Sequence, residues 1–111
     1  MNNIMNNVEE LKKLIEESEE YKEYDRLTKI LDTDKEINEI IDEIKKLQKE
    51  AVNKEVKKED TKNIEEKLDN LFEELNNKEK YIEYIEASKK LNKLITEIQD
   101  RFSNSFNEIL N

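Results

Sequence analysis

Asp32, Asp34, Glu36, Asn38 and Glu43 stand at positions one, three, five, seven and twelve of a calcium-binding loop. Such a loop sets oxygen ligands at those positions and needs a sharp turn, normally at glycine, in position six. Position six here is Ile37, and position eight, where the loop wants an apolar residue, is Glu39. Ile37, Ile40, Ile41 and Ile44 instead recur at the spacing of one helix face. The carboxylates read better as a helix start, where unpaired backbone N–H groups favour negative charge.

The other chemistries fail on residue type. The chain has no histidine, cysteine, glycine, proline or tryptophan. A di-iron helix bundle needs Glu-x-x-His on facing helices. A zinc hydrolase needs imidazole or thiolate donors. A phosphate loop needs glycines so that backbone N–H groups can approach the ligand. Ser18, Ser88, Ser103 and Ser105 have no histidine to activate them. Arg26 and Arg101 are the two arginines, too few and too far apart to clamp a dicarboxylate. Paired carboxylates could do acid–base work, but with 29 acidic residues chance pairs carry no information. The expectation is a protein that is not an enzyme, with no cofactor and no metal.

What remains is surface. Tyr21 and Tyr24 lie three apart, as do Tyr81 and Tyr84. A tyrosine at that spacing packs at a core edge with its hydroxyl wet, or anchors a partner. Phe102 and Phe106, one turn apart near the end of the sequence, either close a bundle or meet another chain. Few residues remain beyond them to provide cover, which favours another chain.

Five helical segments would position these residues. Ile4, Val8, Leu11 and Ile15 form one stripe, widened by Met5 and Leu14, over about 4–17. Ser18 then offers an N-cap, followed by Glu19 and Glu20 in a first turn. The second segment, about 19–31, carries Tyr21, Tyr24, Leu27 and Leu31. Thr33 to Glu36 reads as a capping box with threonine at N-cap. It opens a third helix through about Val56, with Ile37, Ile40, Ile41, Ile44, Leu47, Ala51 and Val52 at helical spacing.

Asp60-Thr61 starts a fourth segment through about Leu75. Asn76 and Glu79 repeat the capping-box spacing, and Asn76-Asn77 would break the helix, asparagine tolerating the left-handed conformation. The fifth and longest segment, about 78–109, runs from Tyr81 through Leu91, Ile95 and Phe102 to Ile109. The expected fold is all-α: an antiparallel bundle of about five helices with a long C-terminal helix. The third, fourth and fifth are long enough to pack together; the first two would fold over one end or reach a neighbouring subunit. No linker divides the chain, so residues 1–111 read as a single domain.

Charge narrows the partners. Charged residues make up 44% and the net charge is −9, which argues against direct nucleic-acid binding, since that needs clustered lysine and arginine. No apolar run spans a bilayer and no signal-peptide core is visible; the expectation is no membrane contact and a cytoplasmic protein. A thin bundle of this size buries little, so self-association into a homodimer or homotetramer is expected.

The order of motifs resembles one family. Ser18-Glu19-Glu20-Tyr21-Lys22-Glu23-Tyr24, after a short amphipathic helix, resembles the "SeeYkey" signature of the YlbF/YmcA bacterial regulators. Asp34 matches the acidic position that follows. Leu47-Gln48-Lys49-Glu50-Ala51-Val52-Asn53 looks most like the YmcA branch, and Tyr81 to Ile98 is similar to the family's last helix. Between Asn53 and Asp60 the branch's basic and aromatic stretch is replaced by Lys-Glu alternation.

The resemblance implies a non-enzymatic adaptor working with a paralogue and a YaaT-like protein. It implies effects on competence, biofilm formation, sporulation and RNA maturation through RNase Y. Tyr21, Tyr24, Gln48, Ala51, Val52, Tyr81, Tyr84, Phe102 and Phe106 are the candidate partner interface. Some family complexes hold iron–sulfur clusters through cysteines; this chain can donate no thiolate. The alternative is a structural or chaperone-like helical homo-oligomer with no dedicated regulatory partner.

Overall fold

A computed structural model describes residues 3–111. The order is α1 (Asn3–Glu16), α2 (Glu19–Thr33), α3 (Lys35–Val56), α4 (Lys62–Asn76) and α5 (Glu79–Leu110). Among the described residues there is no strand. Five helices with a 32-residue last helix are what the apolar stripes require.

The helix starts have local causes. The Ser18 hydroxyl accepts from the Tyr21 N–H at 3.1 Å and donates to the Ile15 carbonyl at 2.6 Å. One side chain therefore ends α1 and begins α2. The cap of α3 sits one residue later than the sequence pattern suggests. Asp34 is its N-cap, with extended backbone and a carboxylate accepting from the Ile37 N–H at 3.0 Å. Thr33 is the last residue of α2, its hydroxyl donating to the Ile30 carbonyl. Asn38 ties the corner, donating to the Leu31 and Asp32 carbonyls at 3.1 Å each and so satisfying acceptors that α2 leaves open.

Helix α3 ends without glycine. The Glu59 N–H reaches back to the Lys54 carbonyl and the Lys58 N–H to the Glu55 carbonyl, which is a Schellman closure. Lys58 occupies its left-handed position, φ 59°. At the next corner Asp60 accepts from the Lys62 N–H at 3.0 Å, and the Thr61 hydroxyl donates to Glu65 rather than capping the backbone. Asn76 closes α4 and does not cap α5. Asn77 is the C-cap with right-handed backbone, φ −92°, so no left-handed asparagine is used.

The helices cluster into two compact units: the residues through Leu27 with Tyr84–Asn111, and Thr28–Glu83. In the second unit α3 and α4 pack on each other. Leu31, Ile37, Ile40, Ile44, Leu47, Ile64 and Leu75 form its buried core. In the first unit Leu27, Ala87 and Leu91 are buried. Most of α5 thus clusters with α1 and the start of α2, whereas the sequence reading groups α5 with α3 and α4. No described helix is long and apolar enough to cross a membrane.

Candidate functional site

The first unit leaves a large apolar surface bare. Helix α1 has no buried residue. Leu11 and Ile15 are half-buried, while Ile4, Met5, Val8 and Leu14 are exposed. On α5 the stripe that is buried at Leu91 becomes half-buried at Leu94, Ile95 and Ile98, then exposed from Arg101 onward. Phe102, Phe106, Ile109 and Leu110 all face water there. Periodicity put those residues on one face; among the described residues nothing in this unit covers the end of it.

Three hollows follow this surface. A trough of about 440 Å³ is lined by Val8, Leu11, Ile15, Tyr21, Leu91 and Ile95. A pocket of that size suits a small molecule only when polar groups converge on it. Here the charged lining residues are Lys12 and Glu16, one turn apart on α1 and of opposite charge. Val8 also lines a second hollow with Gln99, Phe102, Ser103 and Phe106. The third lies on the other flank of α5, between Ile98, Arg101, Phe102 and Ser105.

The sequence-predicted residues divide between the units. Tyr24 and Tyr84 come together, ring centroids 5.5 Å apart and hydroxyls 3.5 Å apart. Both are half-buried and form an aromatic pair. Tyr21 lines the large trough. Phe102 and Phe106 stack on each other at 5.9 Å and remain exposed. In the second unit Gln48 and Val52 are exposed on α3, while Ala51 beside them and Tyr81 at the start of α5 are half-buried.

Ile4, Met5, Val8, Leu14, Ile109 and Leu110 belong to the bare surface and were not singled out as interface residues. For Ile4, Met5 and Val8 a signal was available. The first eight residues carry no charged side chain, nor do Phe102 to Asn107, in a chain that is 44% charged. Charge-poor stretches of that kind suit an apolar or neutral contact.

Electrostatics elsewhere are surface matters. In the second unit Lys78 pairs with Glu36. That hydrogen bond, with Glu74 and Asp34 nearby, holds the Lys78 ammonium above the usual lysine range. Arg26 grips Glu23 with two nitrogens. Among the described residues no buried side-chain polar atom lacks a partner, and no three acidic side chains gather as for a metal. With no cysteine or histidine anywhere, the donor set does not fit an iron–sulfur cluster.

Residues 4–107 match the family model described as control of competence regulator ComK, YlbF/YmcA. Among solved structures the fold is similar to Bacillus subtilis RicA, determined in complex with RicF. The TM-score is 0.82 at 20% identity, over 98% of this chain and 97% of that one. Among curated proteins none matches. With nearly its whole length matched, the chain belongs to the YlbF/YmcA family of control-of-competence regulators.

Proposed function

We propose that this protein is a non-enzymatic regulatory adaptor that works by holding other proteins, in the cytoplasm and as one functional unit of 111 residues. The observation that carries the reading is the bare apolar surface of α1 and the end of α5. Monomeric proteins seldom leave contiguous apolar surface of that kind exposed, and where it occurs it marks interaction sites. Family membership supplies the regulatory context, and RicA, the structural neighbour, is itself found with a protein partner.

The partners in this reading are a paralogous family member, a YaaT-like protein and RNase Y, with further self-association into a dimer or tetramer. Competence, biofilm formation, sporulation and RNA maturation are the processes it would affect. Gln48, Ala51, Val52 and Tyr81 offer a second contact face on the other unit. The net charge of −9 keeps the adaptor off nucleic acid, so RNA is reached through a partner.

Affinity purification from the native host tests this. The paralogue, the YaaT-like protein or RNase Y should be recovered with the wild-type chain and lost with Phe106→Glu. Recovery of none of them overturns the adaptor reading. Protection of an unfolding client protein, with none of those partners bound, would install the chaperone-like reading in its place.

A further inference from the structure

Helix α5 runs on beyond its cover. Every residue from Arg101 to Asn111 is exposed, with Phe106 at 57%, Ile109 at 78% and Leu110 at 81%. A helical end of this length is marginal without packing, so a neighbour is expected on it. The adaptor reading takes this surface as an interface; the following inference rests on that reading and names the occupant.

We infer that the end of α5 docks against the same segment of a second copy, antiparallel, about a twofold axis near Asn104 and Ser105. The charge pattern carries this. Past Asp100 the segment bears two charged side chains, Arg101 and Glu108, of opposite sign. They are seven residues apart, two helical turns, and so share one flank of the apolar stripe. Among the described residues neither forms an ion pair. Their midpoint falls between Asn104 and Ser105, and that of Phe102 and Phe106 falls on Asn104.

A twofold axis perpendicular to two facing helices brings like flank against like flank and reverses direction. Arg101 of each copy then meets Glu108 of the other, twice, while each Phe102 lies over the other copy's Phe106. Such a self-complementary contact is the usual form of a symmetric dimer. The flank is also open. Val8 of α1 shares its hollow with Gln99 and Ser103, whereas the hollow beside Arg101 is lined by α5 residues.

Net charge selects the same occupant. Two chains of charge −9 repel wherever their ordinary surfaces meet, and the nearly neutral end of α5 is where two copies can touch at little cost. Four large exposed apolar side chains, Phe102, Phe106, Ile109 and Leu110, lie on this segment; at roughly 100 Å² each they supply about half of the roughly 800 Å² per partner of a standard interface, the size of a reversible contact.

Sedimentation velocity of the purified chain over a wide concentration range tests the pairing, with circular dichroism confirming that each variant stays helical. Wild type should dimerise, and Phe106→Glu should weaken dimerisation at least tenfold. Arg101→Glu alone and Glu108→Arg alone should each weaken it severalfold. The doubly swapped R101E/E108R chain should regain wild-type association, and the two single variants mixed should pair with each other better than either pairs with itself. Wild type that stays monomeric, or that associates only with a family relative, overturns the second copy as occupant. Association that persists while the charge swap fails to rescue overturns the antiparallel register. If the host purification finds no partner but the swap rescues, the adaptor reading fails and the dimer stands; the opposite pair of results separates them the other way.

Discussion

The two units use the same residue vocabulary for different ends. The Thr28–Glu83 unit buries seven apolar side chains, four of them on one face of α3. Among its described residues the other unit buries three and exposes eight large ones. Both are built from amphipathic helices of similar period, so the difference lies in cover. Helix α3 has α4 against it, whereas α1 has no buried residue and α5 outlasts whatever lies beside it. The Thr28–Glu83 unit closes over its own core; the other leaves the end of its apolar stripe open, and the adaptor proposed above would complete it with another chain.

The strongest way to break that contrast is to truncate one apolar residue in each. Ile44→Ala in the closed unit should cost about 2–5 kcal/mol, the range for emptying a buried isoleucine site. Phe106→Ala should cost within about 0.5 kcal/mol in the dilute chain, as for a surface substitution. Urea unfolding at concentrations too low for association measures both. Equal losses would mean that the end of α5 is covered within its own chain.

Hydrogen exchange sharpens the same comparison. Amides of α1 and of α5 beyond Arg101 should exchange much faster than those of α3 in dilute solution, because few buried contacts hold them closed. Raising the protein concentration should slow the α5 tail by tenfold or more and leave α3 unchanged. Uniform protection at all concentrations would erase the distinction between a finished and an unfinished core.

The sequence made the helices legible and their burial much less so. Ile37, Ile40, Ile44 and Leu47 share a face by period alone, and so do Leu91, Ile98, Phe102 and Ile109. Period says which residues lie together; it does not say whether a neighbour arrives. Hence α3 and the end of α5 read alike, though one is core and the other bare. Caps were legible where one residue could act. Ser18 does what its position suggests. At the next corner the pattern pointed to Thr33, but the Asp34 carboxylate, with its N–H target three residues on, takes the role. The candidate interface was legible in Phe102 and Phe106, but the charge-free flanks that complete it needed composition to be read locally.

A smaller effect tests whether the closed unit is tuned as well as packed. Lys58 sits at φ 59° at the end of α3, where a side chain is crowded. Lys58→Gly relieves that crowding but gives the unfolded chain more freedom, and the balance should stabilise the protein by about 0.5 kcal/mol. Guanidinium unfolding reads it. A loss of stability would mean that the lysine makes a compensating contact.

The smallest expected effect lies at the corner where α3 begins. Glu36 raises the affinity of Lys78 for its proton in the folded chain, with Glu74 and Asp34 adding to it. A cation whose proton is held more tightly when folded stabilises the fold fully below its unfolded value, about 10.4 for lysine. The contribution is lost as pH climbs through the higher folded value. Stability should therefore dip above about pH 10 more in wild type than in Lys78→Met. The pair is open to solvent and salt screens it, so 1 M sodium chloride should shrink the difference. A Lys78→Met chain with the same alkaline profile as wild type would show that this ion pair contributes nothing to holding the corner, and that Asp34 and Asn38 do so alone.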